Sequence, residues 1–130
     1  LDGDWCWNAN PFQVTDETKE MVMKNICFLL NQFIKCSAYE NIVFCWVMHQ
    51  QSIIDEIISN LDLSCCKIKT ISLVCDENTL KERVNKNGIR KADVIERSIE
   101  RIELYHKINS IKINTSGKNI DEICREISST

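Results

Sequence analysis

Glycine is scarce in this chain: only Gly3, Gly88 and Gly117 occur among 130 residues. A Gly-x-x-x-x-Gly-Lys-Ser/Thr loop cradles phosphate because glycine backbone curls its N–H groups around an anion at a helix N-terminus, with the lysine adding charge. No window here has that pattern. These residues alone therefore lack a preorganised anion nest and are expected to hold no polyphosphate tightly. Long apolar runs are missing too. None approaches the ~20 residues a membrane span needs, and no charged-then-apolar leader precedes a small-residue cleavage site, so the chain reads as soluble with no membrane partner. Nor is there a basic excess: 16 Lys and Arg face 19 Asp and Glu, for a net charge of -3. That balance argues against a nucleic-acid partner held by counterion release.

What is present is ordinary globular material, 44% hydrophobic and 27% charged. Length and composition fit one domain over 1–130 with a single core. The eight cysteines, Cys6, Cys27, Cys36, Cys45, Cys65, Cys66, Cys75 and Cys124, include no Cys-x-x-Cys pair. With only His49 and His106 to help, they lack paired zinc-ligand spacing, and no metal ligand is assigned. Several sit inside apolar segments such as 26–30, 43–47 and 73–75, where cysteine behaves as a small hydrophobe. The expectation is buried free thiols and a reducing cytoplasm.

Helix-like and strand-like segments alternate, without low-complexity linker or internal repeat, as in a parallel α/β sheet flanked by helices. Thr15 caps a helix whose first turn holds Asp16 and Glu17, and apolar residues at helical spacing carry it to about Cys36. The apolar run over 41–48 fits a buried parallel strand. A helix over 50–61, a strand over 68–75, helices over 76–85 and 92–108, a strand over 111–114 and a helix over 120–127 complete the pattern.

Family likeness enters through residues 80–105. Leu80-x-x-Arg83-Val84 is followed by Arg90-x-x-Asp93-x-x-Glu96-x-x-x-x-Arg101-Ile102-x-x-Tyr105. The two segments resemble those that flank the mobile lid of P-loop nucleoside-monophosphate kinases and their relatives. The resemblance implies a P-loop NTPase fold of the kinase type, ATP and Mg²⁺ as cofactors of the complete protein, and transfer of the γ-phosphoryl group to a small-molecule acceptor. It places Arg83 against the adenine, and brings Arg90 and Arg101 to the transferring phosphate oxygens. Guanidinium suits that role, since its planar donors pair bidentately with phosphate oxygens and never deprotonate. The competing reading is a solvated, salt-bridged helix face, which is the expectation for Arg97. The lid is short, about 85–91, with Gly88 as its flexible point.

The opening Leu1-Asp2-Gly3-Asp4 resembles the acidic strand ending that faces the acceptor in many small-acceptor P-loop kinases. A carboxylate there orients a hydroxyl and accepts its proton, with Asp4 as catalytic candidate and Asp2 beside it. The alternative is an Asx turn in which Gly3 supplies a permissive dihedral. Trp5 is a candidate acceptor wall. His49 follows the 41–48 strand, where open α/β sheets bind ligands, and is otherwise a cap or surface residue. Thr115, after the last strand, lies where relatives contact the nucleotide base with loop backbone; a plain turn is the simpler reading.

The chain is thus expected to be an inactive fragment of an ATP-dependent phosphotransferase acting on a small nucleotide, nucleoside or other small acceptor. In that fold the first central strand, which this chain lacks, lies between the third and fourth. Strands 41–48 and 68–75 would then be parallel and about twice the ~4.8 Å strand spacing apart. The open slot invites strand exchange or dimerisation of the fragment. Two other classes account for part of the sequence: a non-catalytic nucleotide-binding regulatory protein, and a flavodoxin-like α/β interaction domain.

Overall fold

The computed structural model describes residues 1–86 and 92–130. Two compact units divide the chain, Leu1–Lys67 and Ile68–Thr130.

In the first unit a 3-10 turn, Gly3–Trp7, precedes helix α1, Asp16–Lys35, and helix α2, Gln51–Ser59. Thr15 starts α1 as the sequence requires: its hydroxyl accepts the Thr18 N–H at 3.1 Å while the Thr18 hydroxyl accepts the Thr15 N–H at 2.8 Å. Such a reciprocal box satisfies donors that the first helical turn leaves orphaned and contributes about 1 kcal/mol. Four-residue spacing puts Val22, Ile26 and Leu30 on one buried stripe, where they meet Cys6 and Ile57 in the core of this unit. Asn31 ties down the chain leaving α2, donating to Asn60 O and accepting the Asp62 N–H, each at 2.9 Å.

The strand expected over 41–48 is reduced to one parallel bridge, Asp2 to Cys45. Cys45 N–H donates to Leu1 O at 3.0 Å and Gly3 N–H donates to Cys45 O at 2.9 Å. The ladder stops there because Gly3 already begins the 3-10 turn. Without a longer partner, Val43 remains 77% and Val47 49% exposed.

In the second unit β1, Ile71–Val74, pairs in parallel with β2, Ile111–Asn114, in the register Ile71 to Ile111 through Val74 to Asn114. The crossover contains α3, Glu77–Lys86, and α4, Ala92–Lys107; α5, Ile120–Ser129, follows β2. Bonds from Ile111 N–H to Thr70 O and from Thr115 N–H to Val74 O extend the ladder at both ends. Even-numbered residues of β1 therefore face β2, and Ile71, Leu73 and Cys75 turn their main chain to the other edge. α4 packs on β1 and α5 on β2. Ile113 is buried, whereas Leu73, its register partner, is 54% exposed. Lys112 is half-buried and has a structural role: its ammonium donates to Ser110 Oγ at 2.7 Å, Ser110 O at 3.2 Å and Ile108 O. α3 runs on through Asn85 and Lys86, so the start of the expected lid is helical; its remainder, with Gly88 and Arg90, lies outside the described residues.

The cysteines depart from expectation in burial. All eight are free, but only Cys6 is buried, Cys27 and Cys75 are half-buried, and the other five are exposed. Those five lie at the C-cap of α1, in the singly bridged segment, in a turn and on α5.

Candidate functional site

The carboxyl ends of β1 and β2 carry the most organised polar cluster of the second unit. Just after β1, Asp76 caps α3: one carboxylate oxygen accepts the Thr79 N–H at 2.8 Å and the other the Thr79 hydroxyl at 2.9 Å. From the loop after β2, Ser116 Oγ accepts the Asp76 N–H at 3.0 Å. Hydrogen bonds from the Ser116 hydroxyl, then from Thr79, hold the Asp76 carboxyl down at about 2. The folded form thus favours the carboxylate relative to the unfolded chain, in which this group titrates near 3.8. Its stabilising contribution is present above the unfolded value and disappears as pH falls through about 2. Acid titration followed by helix ellipticity should show stability falling between about pH 4 and pH 2, and Asp76→Asn should flatten that stretch of the profile. Equal slopes in both proteins would refute the assignment.

One helical turn further along α3, Arg83 reaches back to the same loop. Its guanidinium donates to Thr115 Oγ1 at 2.9 Å and to Thr115 O at 2.8 Å, and the Thr115 hydroxyl donates to Val74 O at 3.1 Å. Thr115 is only 4% exposed, so these bonds satisfy groups that water does not reach. The two base-contact candidates of the sequence, Arg83 and Thr115, thus meet, and Thr115 is more than a plain turn. Beside them opens a groove of about 830 Å³, lined by Leu73, Cys75, Ile120 and Ile123 with Lys118 and Asn119 among the polar residues. Lys118 pairs there with Glu126. Gly117 takes a φ of 69°, which places the left-handed turn on the residue best able to adopt it.

In the first unit the Asx reading holds for Asp2, whose Oδ1 accepts the Asp4 N–H at 2.9 Å. The Asp4 carboxylate is separate from that turn and accepts the Trp46 indole N–H at 3.1 Å through Oδ1. Gly3 has a different role from the one expected. Its dihedral is not in the left-handed region; a Cβ there would lie 2.3 Å from Trp46 Cγ. Space, not backbone freedom, demands glycine. Gly3→Ala is expected to cost about 1–3 kcal/mol, the usual range for overpacking, read as a lowered urea midpoint at unchanged slope. An unchanged midpoint would mean that the ring moves aside freely. Trp5 is 81% exposed, while Trp7 packs on Phe12 with ring centroids 5.4 Å apart. His49 is half-buried just before α2.

On α4, Arg97 forms the expected surface pair, Nη2 to Asp93 Oδ2 at 3.1 Å. Arg101 is half-buried, and among the described residues no carboxylate forms an ion pair with it. Its charge acts on Tyr105, whose hydroxyl pKa is raised by burial and drawn back by Arg101.

Compared with known families, residues 1–105 match the AAA domain. The chain belongs to the AAA domain family. AAA domains are nucleotide-binding domains of the P-loop NTPase type, so the fold family and ligand class expected from residues 80–105 stand at that level. No curated protein and no solved structure matches the chain. The AAA match contains Asp2, Asp4, Arg83 and Arg101, whereas Thr115 and the α5 side of the groove lie beyond it. Sequence reading placed Ser116 only in the loop after the last strand and Asp76 only at a helix start, and gave neither them nor Trp46 a partner. Asp76-x-x-Thr79 is a legible helix-start signature, but the partnerships of Ser116 and Trp46 span 40 and 42 residues and leave no local signal. No helix among the described residues is long and apolar enough to cross a membrane.

Proposed function

We propose that the AAA domain protein bearing this chain is an ATP-dependent phosphotransferase acting on a small nucleotide, nucleoside or similar hydroxyl acceptor. The observation that carries this reading is the convergence of Arg83 and Thr115 on one groove at the carboxyl ends of β1 and β2, where open α/β sheets take their ligands. The groove fits the base end of a nucleotide. Leu73, Ile120 and Ile123 offer apolar surface, and the guanidinium of Arg83 is fixed by Thr115 at the rim. The polyphosphate and Mg²⁺ fit less well on these residues. The sequence has no glycine-rich nest, and among the described residues no group of three acidic, His or Cys side chains gathers. In this reading those parts of the ligand fall to another segment of the complete protein.

Each remaining residue has one task in this scheme. Asp4, with Oδ1 held by Trp46, presents its second oxygen to the acceptor hydroxyl and takes up the proton as the nucleophile forms. Arg101, with Arg90, neutralises charge on the transferring oxygens. ATP supplies the phosphoryl group and Mg²⁺ screens its charge.

The test is ATP consumption by the full-length protein across a panel of nucleosides, nucleoside monophosphates and other small hydroxyl compounds. Release of ADP in strict proportion to one phosphorylated acceptor is the expected result. ATP binding or hydrolysis independent of every acceptor would favour a nucleotide-binding switch and overturn the transferase reading.

A further inference from the structure

Two adjacent cysteines in the first unit have no part in the proposed phosphoryl transfer. Cys65 and Cys66 are both exposed and both free. They sit in a closed turn in which Cys66 N–H donates to Leu63 O at 3.0 Å. Asp62 Oδ1 steadies that turn, accepting the Ser64 hydroxyl at 2.9 Å and the Ser64 N–H at 3.4 Å. The Ser64 hydroxyl in turn lies 3.9 Å from Cys65 Sγ. In a strand, consecutive side chains point to opposite faces; the turn lifts that restriction and presents two thiols on Cα atoms only ~3.8 Å apart.

We propose that Cys65 and Cys66 form a vicinal dithiol site for a trivalent organoarsenical, or any comparably thiophilic centre that takes two sulfur ligands. With a monosubstituted arsenic(III) oxide, two As–S bonds form and the As–O linkage breaks. The oxygen leaves as water with the two thiol protons, and arsenic stays trivalent, so no oxidant or reductant is needed. The two-ligand centre is favoured over zinc because zinc sites take three or four protein ligands, and no cluster of three or more His, Cys, Asp or Glu gathers among the described residues. Selectivity over the other cysteines follows from their surroundings. Burial raises the Cys6 and Cys27 thiols, making their thiolates scarcer, and Glu56 adds to the effect at Cys27. Cys36, Cys45 and Cys124 are exposed and Cys75 is half-buried, but none of the four has a cysteine beside it in sequence to close a chelate. At the pair the second As–S bond is intramolecular, and linking two binding steps in this way strengthens retention by ~10²-fold or more.

The experiment uses the fully reduced protein, an equimolar amount of phenylarsine oxide, a glutathione wash and intact-mass measurement under native conditions. One arsenical should survive the monothiol wash and be released by 2,3-dimercaptopropanol. Cys65→Ser and Cys66→Ser should each lower retention by ~100-fold, with the circular dichroism of the parent because neither side chain is buried. A triple variant with serine at 36, 45 and 124 should retain the arsenical like the parent. Loss of the arsenical from the parent in the glutathione wash, or retention by the Cys65→Ser/Cys66→Ser double variant equal to that of the parent, would overturn the assignment.

Discussion

Replacing Arg101 by alanine in the complete protein is expected to lower turnover by ~10²–10³-fold while changing unfolding free energy by only about 0.5 kcal/mol. The contrast follows from its setting. Arg101 lies half-buried on α4 with no carboxylate ion pair among the described residues, so the fold loses little Coulomb energy when the charge goes. Arg97, four residues earlier, has its partner in Asp93, and Arg97→Ala serves as the silent control. Lysine at 101 should recover only part of the rate, since a point charge does not reproduce the bidentate fork. Turnover and thermal midpoint measured together decide the matter: full turnover in the alanine variant would remove Arg101 from the mechanism.

Ile26→Ala should be the most damaging single truncation in the first unit, at about 2–5 kcal/mol. Ile26 is 0% exposed and central to the stripe of α1 that meets Cys6 and Ile57. Deleting its outer carbons removes buried apolar contact and leaves a cavity that the capped helix cannot readily collapse around. Total stabilities of small domains are of order 5–15 kcal/mol, so the loss is a large fraction of what is available. Trp5, Trp7 and Trp46 all lie in this unit, and their fluorescence during urea unfolding reports on it. A loss under about 1 kcal/mol would indicate a core that re-packs, at odds with the usual cost of such cavities.

Much of the local structure was legible because its causes are local. Thr15 followed by Asp16 and Glu17 announced α1, and the apolar recurrence through Met21, Val22, Ile26 or Cys27, Leu29, Leu30, Phe33 and Ile34 contained its buried face without singling out Val22, Ile26 and Leu30. The strand Ile-Lys-Ile-Asn at 111–114 was read with the bounds it has in the structure. The 41–48 segment was harder, because an apolar run states only that a segment is suited to cover on both faces. Whether it forms a ladder depends on a partner elsewhere, and here the partner offers Leu1 to Gly3 before curling away. Cysteine burial failed for a related reason: hydrophobic neighbours in sequence do not guarantee neighbours in space. The candidate site divided in the same way. Arg83 and Thr115 were each named from pattern, but their mutual hydrogen bonds, like those of Asp76 with Ser116, join residues more than thirty positions apart.

The contact between Gly3 and Trp46 has a consequence for inheritance. The indole lies where a Cβ at position 3 would be, and its N–H holds the carboxylate of Asp4. Positions 3, 4 and 46 are therefore one heritable unit, in which a change at one alters what the other two tolerate. A smaller residue at 46 makes room for alanine at 3 but gives up the anchor of Asp4, so the two substitutions together should differ from the sum of their separate effects. A lineage that enlarges position 3 is constrained to find a new holder for Asp4 or to drift away from whatever that carboxylate does.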